Sequence, residues 1–453
     1  MQITEMNNDG LKRTLKVTVG QTELGERFNQ KIDEIKGRVQ LKGFRKGKVP
    51  IAHIKKLYGR SVMAEVLEQT VRETSSKAIT DRNERPAMQP DIDLPKDEGE
   101  IEKVISGEAD LAYSMSFEVL PEIAIADLSK LQLEQLVVEV ADEAIDEVLA
   151  DLVKRGTTYE TEEGRVAADG DKVTIDFVGK IDGEPFPGGD GKGVEVVLGR
   201  GGFIPGFEEG MVGLKAGDEK VVTATFPEAY QAEHLAGKEA QFDVIVAQVG
   251  APKLPEIDDE FAKTLGMESV DKLKDTIKEQ LSQEYQQGAR MKIKRELLDE
   301  LEKAHEFELP ASLVDSEFES IWAQLEDSMK RENKSFADEG KTEDEARAQY
   351  RKLAERRVRL GLVIGEIGDK NKIQVTQDEL RSALVEQARQ YPGQEKFVYE
   401  YYEKTPGALA QLRAPLFEDK VVDFVLEQAK PTEKSVSKEE LLKALDEASE
   451  PGA

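Results

Sequence analysis

Between residues 159 and 250 glycines and β-branched residues crowd together, and apolar residues alternate with polar ones in the short runs 172–178, 194–198, 219–226 and 240–249. From 251 onward the apolar residues instead recur at helical spacing almost to the end of the chain. A strand face repeats every second residue and a helix face every 3.6, so one layer architecture cannot serve both stretches. The chain has 453 residues, and domains usually take ~100–200 each, so several separate cores are expected.

The alternation of Leu15, Val17 and Val19 predicts a strand, and residues 22–39 read as a helix with Leu24, Phe28, Ile32 and Ile35 on one face. Two further helical stretches, 51–58 and 61–80, precede extended runs at 88–94 and 111–120. Together they predict an α+β N-terminal domain over residues 1–120. Residues 121–158 mix an extended run with an acidic helix near 142–154 and read as a connecting segment. The β-rich domain follows at 159–250, where Asp182-Gly183 between two alternating runs signals a two-residue hairpin turn.

Residues 251–430 form the helical domain, with narrow apolar stripes at Val270, Leu273, Ile277, Leu281 and Tyr285, and at Leu313, Val314, Phe318, Ile321, Trp322, Leu325 and Met329. Thr376 followed by Glu379 is a capping box. Narrow stripes on long polar helices predict an elongated domain with arms whose inner faces stay partly open. The acidic tail at 431–453 reads as disordered or a lone helix. The fold class expected is multidomain α+β.

Hydrophobic residues make up 39%, charged residues 34%, and there is one tryptophan. That balance suits a soluble protein with much exposed helical surface. The absence of cysteine excludes disulfides, thiolate metal sites and a cysteine nucleophile, and fits a reducing cytoplasm. Three scattered histidines, His53, His234 and His305, leave little for metal ligation, and neither a metal nor a cofactor is expected. The first residues have no apolar leader region, and nowhere do 18 apolar residues run together, so no membrane partner is expected.

A formal net charge of −29 repels nucleic acid at long range. Yet residues 36–60 hold nine basic residues and no acid: Lys36, Arg38, Lys42, Arg45, Lys46, Lys48, Lys55, Lys56 and Arg60. At the centre stands Gly43-Phe44-Arg45-Lys46-Gly47-Lys48-Val49-Pro50, an aromatic among cations between two glycines. Arginine binds phosphate in bidentate fashion and phenylalanine can enter an apolar slot, so the loop suits a ribonucleoprotein surface.

This run resembles the ribosome-binding signature of the trigger factor family, Gly-Phe-Arg-x-Gly-x-x-Pro, at every fixed position: Gly43, Phe44, Arg45, Gly47 and Pro50. The resemblance implies an ATP-independent chaperone that docks on the large ribosomal subunit beside the exit tunnel, touching protein and ribosomal RNA, with Phe44, Arg45 and Lys46 at the contact. It also implies nascent and unfolded polypeptides as clients, held on open faces of the helical arms including Phe318, Ile321, Trp322 and Leu325, although these four residues read equally well as core. A homodimer off the ribosome is left open, and the compartment expected is the cytoplasm.

The stretch 173–249 resembles an FKBP-type peptidyl-prolyl isomerase. VTIDFVGKIDGEPF looks like the opening hairpin of that family and VVLGRGGFIPGFEEGMVGLKAGDEKVV like its central strand, loop and helix. Carried over by position, the proline pocket comprises Phe177, Phe186, Val194, Ile204, Phe207, Tyr230 and Phe242. Phe207 takes the floor position, where stand-alone members more often carry Trp, and Ile204 would offer its N–H to the substrate carbonyl. Pro187 departs from the Asp that often follows the pocket Phe, which puts macrolide binding in question and points to modest activity on free peptides.

The chemistry fits that residue set. Prolyl rotation faces a barrier of ~18–20 kcal/mol because resonance flattens the amide. An apolar pocket and a fixed donor that favour the twisted amide lower it without acid, base or metal.

Other signals carry less. Gly340-Lys341-Thr342 mimics the end of a phosphate-binding loop, but Ser335 stands where glycine is required. Asp258-Asp259-Glu260 lacks calcium-loop spacing and reads as solvated surface. Two rival functions remain: a dedicated prolyl isomerase that the other domains merely target, and an RNA-binding protein acting through the basic island alone. The last of these predicts binding to naked RNA with a steep salt dependence and no need for Phe44. Replacing Phe44, Arg45 and Lys46 together by alanine abolishes co-sedimentation with ribosomes and leaves the circular dichroism spectrum unchanged, whereas undiminished co-sedimentation removes the basis for the site.

Overall fold

The computed structural model describes residues 1–38, 49–95, 97–228, 230, 232, 235–332, 334–336, 338, 340–405 and 407–449. In chain order the elements are β1 (Gln2–Asp9), β2 (Lys12–Val19), α1 (Gln21–Arg38), α2 (Ile51–Arg82), β3 (Asp91–Asp93), α3 (Glu98–Ser106), β4 (Leu111–Glu118) and β5 (Glu134–Val137). There follow α4 (Asp142–Arg155), β6 (Thr158–Thr161), β7 (Lys172–Ile181), β8 (Glu184–Val197), β9 (Glu219–Thr225), β10 (Glu239–Lys253) and α5 (Asp259–Thr264). The remainder is α6 (Val270–Ala304), α7 (Ala311–Glu332), α8 (Glu343–Asn371), α9 (Gln377–Arg389), α10 (Glu395–Lys404), α11 (Ala408–Ala429), β11 (Thr432–Ser435) and α12 (Lys438–Ser449). The chain forms two compact units, one of residues 1–135 with 291–433 and the other of 136–290 with 434–453.

In the first unit, the described residues form an antiparallel sheet in the order β1-β2-β4-β3. Leu15, Val17 and Val19 are wholly buried while Lys16 and Thr18 point the other way, as their alternation predicts. Strand β1 is largely exposed, so it carries no buried alternation by which to read it. The expected break between two helices near residue 60 does not occur: α2 runs unbroken from Ile51 to Arg82. Tyr113 reaches from β4 into this helix, its hydroxyl 2.7 Å from Thr74 Oγ1 and 2.8 Å from Ser75 Oγ. Those contacts satisfy hydroxyls that would otherwise be costly to bury.

The helical part of this unit packs Leu297 and Leu301 of α6 against Val363 and Ile367 of α8 and Val422 and Val425 of α11, all nearly inaccessible. Ile123 and Leu133 from the connecting segment enter the same core. Both α8 and α9 begin with capping boxes, Thr342 with Glu345 and the expected Thr376 with Glu379. The Lys420 ammonium and the Thr376 N–H and hydroxyl pull the exposed Glu379 carboxyl down to about 2. Thr342 of the phosphate-loop mimic is thus a helix cap.

The apolar stripe of α7 is placed differently from the expectation. Ile321 and Trp322 are each 7% exposed, and Phe318 and Leu325 are half-buried. Trp322 stacks on Phe318 and Phe336, meets Tyr350 edge-on, and lies under the Arg347 guanidinium at 4.3 Å. The stripe faces α8, and Arg351–Asp315 and Arg357–Glu317 ion pairs flank the contact. A narrow stripe is what a two-helix hairpin needs for its own seam, so these residues form an interior and not an open face.

In the second unit the described residues form a sheet in the order β6-β10-β7-β8, with β9 also paired to β10. Asp182 and Gly183 take φ of 53° and 85°, the doubly left-handed turn expected of a tight hairpin, and Ile181 pairs with Glu184 across it. The acidic helix α4 buries Ile145 and Leu149 against Phe261 of α5 and Leu273 and Ile277 of α6. Asp258 caps α5 through the Phe261 N–H, which accounts for one of the acids weighed for calcium.

The described residues of the tail, 431–449, hold a strand and a helix that packs on the unit. Ser437 and Glu440 make a capping box at the start of α12, and Leu441, 2% exposed, packs with Leu136, Tyr285 and Ala289. Leu441, Ala444 and Leu445 supply an i, i+3, i+4 apolar stripe within an otherwise acidic composition, and Gly288 of α6 makes room for Leu445.

Two glycines of α8 give a paired test. A Cβ on Gly368 would lie 2.2 Å from the Phe417 ring, whereas one on Gly365 would meet nothing within 4 Å. Gly368→Ala is expected to destabilise this unit by about 1–3 kcal/mol through overpacking. Gly365→Ala is expected to be neutral or to stabilise by up to about 1 kcal/mol through helix propensity. Urea unfolding followed by Trp322 fluorescence reads both, and equal effects would rule out the close α8–α11 contact as the cause.

Candidate active site

The β-rich part of the second unit surrounds an apolar cleft of about 490 Å³. Strands β7 and β10 pair so that Phe177 faces Val244 and Gly179 faces Phe242. Phe177 and Phe242 therefore point to the same side of the sheet from neighbouring rows, with ring centres 6.0 Å apart. Phe207, 1% exposed, forms the floor: it meets Phe242 edge-on at 4.9 Å and Phe177 at 5.7 Å. Such edge-to-face contacts hold the rings at fixed angles.

Two glycines explain how the wall comes so close. A Cβ on Gly179 would lie 2.8 Å from the rings of Phe186 and Phe242, and one on Gly189 would lie 2.6 Å from Phe186. Phe186 is thus seated over bare backbone, and either side chain would displace it.

Of the residues expected in the pocket, Phe177, Phe186, Ile204, Phe207, Tyr230 and Phe242 line the cleft. Val194 is not among the lining residues; it packs in the same core cluster, and a Cβ on Gly191 would lie 2.8 Å from both Val194 and Phe177. The cleft also gains Phe203, stacked on Phe207 at 5.3 Å, and Phe226, which lies 4.8 Å from Tyr230. Both were visible as aromatics beside assigned positions, but alternation alone does not say which face of a loop residue turns inward. Among the described residues that line the cleft none carries a charged side chain. Pro187 beside Phe186 leaves no carboxylate at that point of the wall.

The loop that closes one side is held by buried acids. Glu208, 6% exposed, accepts the N–H of Gly199 and Gly201 on one oxygen and that of Phe203 on the other. On the preceding turn Asp171, 1% exposed, is pushed up by burial, but two hydrogen bonds from Arg165 and one from the Ala168 N–H outweigh this and hold it below its ordinary value. The Ile204 N–H points to no acceptor among the described residues, while its carbonyl accepts the Phe207 N–H. An apolar floor, a ring of aromatic edges and one available backbone donor suit a proline whose preceding carbonyl rotates toward that donor.

The remaining candidates are scattered. Gly43, Phe44, Arg45, Lys46 and Gly47 lie outside the described residues, and Pro50 immediately precedes α2. Phe318, Ile321, Trp322 and Leu325 belong to the α7–α8 interior described above. Among the described residues no group of three or more potential ligands could hold a metal ion, and no helix is long and apolar enough to cross a membrane.

Two substitutions test the cleft. Tyr230, 38% exposed at the mouth, is expected to tolerate alanine with little loss of stability while isomerisation of a proline tetrapeptide slows. Phe207→Ala is expected to lose isomerase activity and also to destabilise by about 3–5 kcal/mol, because it empties a core position. Wild-type activity in both variants would mean that the cleft is not where proline binds.

Comparison with known proteins agrees with this geometry. Residues 163–247 match the FKBP-type peptidyl-prolyl cis-trans isomerase family. Residues 1–152 match the family described as bacterial trigger factor protein, and residues 269–427 match its C-terminus. A trigger factor of Xanthobacter autotrophicus is 51% identical over 443 residues, covering 98% of each chain. One of Azorhizobium caulinodans is 50% identical over 447 residues, covering 99% of each. A solved structure from work on promiscuous substrate recognition by the trigger factor chaperone aligns with a TM-score of 0.55 at 20% identity, over 95% of this chain and all of that one. With an aromatic cleft built on an FKBP-type sheet and close relatives matching from end to end, the chain belongs to the trigger factor family and carries a peptidyl-prolyl isomerase domain.

Proposed function

We propose that this protein docks on the large ribosomal subunit beside the exit tunnel through the loop 43–50, holds emerging chains without ATP, and isomerises their Xaa-Pro bonds in the cleft floored by Phe207. The observation that carries the catalytic part is the wholly uncharged aromatic lining together with the available Ile204 N–H. In the planar amide the prolyl nitrogen shares its lone pair; in the twisted state that lone pair localises and the carbonyl oxygen changes direction. Rings that grip proline and a donor placed for the rotated carbonyl favour the second state. The domain boundaries that go with this reading are 1–120 for ribosome binding, 121–158 for the connection, 159–250 for isomerisation, 251–430 for holding clients and 431–453 for the tail. The working compartment is the cytoplasm.

The open surface for clients is best supplied by α10 and its flanks. There Tyr391, Phe397, Tyr399, Tyr401 and Leu409 are 39–71% exposed, with Phe397 at the upper end of that range. Several weak aromatic contacts raise affinity together where one would not suffice. Acidic and basic neighbours such as Glu400 and Lys404, themselves paired, keep this surface soluble when empty.

A division of labour follows. A chain lacking residues 159–250, with the cut ends joined by a flexible linker, is expected still to delay aggregation of an unfolded protein. Residues 159–250 alone are expected to isomerise short peptides and not to prevent aggregation. If the isolated piece protects and the deletion does not, the dedicated-isomerase reading takes over.

A further inference from the structure

Glu208 is a buried carboxylate with no cation beside it among the described residues, and prolyl rotation moves no proton that would call for a charge there. Its three hydrogen bonds all go to backbone N–H groups of one loop: Gly199 at 2.9 Å, Gly201 at 3.1 Å and Phe203 at 3.1 Å. That loop, Gly-Arg-Gly-Gly-Phe, contains three glycines, and Gly199 and Gly201 sit at φ of 82° and 67°. Glycines bring the largest backbone entropy to such a segment, so left to itself it would sample many conformations. Glu208 also follows Phe207 directly, so the residue next to the cleft floor reaches back to tie down the cleft wall.

We infer that Glu208 is a positioning residue for isomerisation: by clamping residues 199–203 it fixes the direction of the Ile204 N–H and the tilt of Phe203 over Phe207. The inference rests on the reading of the cleft as the prolyl site. A carboxylate is the suitable group because it is acceptor-only, with lone pairs enough for three donors. Donor-to-charge hydrogen bonds are also the stronger kind, which offsets the burial of the charge. Preorganisation of this sort acts on the transition state, since the donor must already point where the rotating carbonyl will arrive.

Glu208→Gln tests this in the full-length chain. The amide matches the carboxylate in shape but keeps one acceptor oxygen. The orientation that loses one hydrogen bond, not two, turns its NH2 toward the Phe203 N–H, donor against donor. The segment leading into Ile204 is then freed while Gly199 and Gly201 stay bound. Loss of one such hydrogen bond is expected to lower kcat for a proline tetrapeptide about three- to tenfold. KM should change less than kcat, because Phe177, Phe207 and Phe242 keep their places and only Phe203 is loosened. Phe203→Ala, which keeps the clamp, should lower kcat less than Glu208→Gln does.

An unchanged kcat, or a loss that appears equally in KM, overturns the inference. Tyr230→Ala run in parallel separates the two levels. If Tyr230→Ala is impaired and Glu208→Gln is not, only the clamp fails; if Tyr230→Ala and Phe207→Ala are both fully active, the site reading itself fails. Should Glu208→Gln not fold, amide exchange in the wild-type protein decides. Protected N–H groups at Gly199, Gly201 and Phe203 support the clamp, and exchange at the rate of open loop excludes it.

Discussion

A single imidazole holds the connecting segment of the first unit in place. His305, 3% exposed at the end of α6, has Nδ1 2.7 Å from the Leu301 carbonyl and Nε2 3.0 Å from the Ala126 N–H. A carbonyl only accepts and an amide N–H only donates, so the ring must carry its proton on Nδ1. The irregular stretch after β4 can then enter the helical core, where Ile123 and Leu133 are buried, because its polar backbone finds partners there: Lys370 also donates to the Ile123 carbonyl. From the other side Glu118, at the end of β4, accepts both the N–H and the hydroxyl of Ser312 in the first turn of α7. The N-terminal sheet and the helices of this unit are joined through polar groups matched one to one, with apolar packing between.

The isomerase cleft uses the opposite logic. Among the described residues its working surface has no polar side chain beyond the Tyr230 hydroxyl, and the charges that shape it, Glu208 and Asp171, are kept behind the wall. For a reaction that moves no proton this is the economical arrangement, since charge near the amide would favour its polar planar form. The glycines at 179 and 189 extend the same principle to backbone, letting rings touch the chain directly.

How much of this could be read beforehand varies with the kind of signal. Alternation at Leu15, Val17 and Val19, the Asp182-Gly183 turn and the Thr376–Glu379 box are local, and each appears where its pattern places it. Six of the seven residues expected in the pocket line the cleft, because the family pattern encodes their common face; Val194, paired with Ile175, packs in the same cluster without reaching the lining. The stripe at Phe318, Ile321 and Trp322 shows the limit: periodicity reports that a face is apolar and is silent on whether a partner helix covers it. The tail was misjudged because net acidity outweighed the Leu441, Ala444 and Leu445 spacing and the Ser437–Glu440 cap. Glu208 carries no sequence pattern of its own; its role appears only when three backbone donors converge on it.

The way the chain is divided has a consequence for its own synthesis. Each unit is made of two pieces distant in sequence, 1–135 with 291–433 and 136–290 with 434–453. The sheet around the cleft is complete by Lys253, so it can fold as a block while translation continues. The helical core of the first unit, by contrast, waits for Val421, Val422 and Val425, and the seam along Tyr285 and Ala289 waits for Leu441 of α12. Closing such long loops makes these cores late and slow to form. A guardian of unfinished chains thus passes through an unfinished stage of its own, with the apolar faces of α6 uncovered until α11 and α12 have been made.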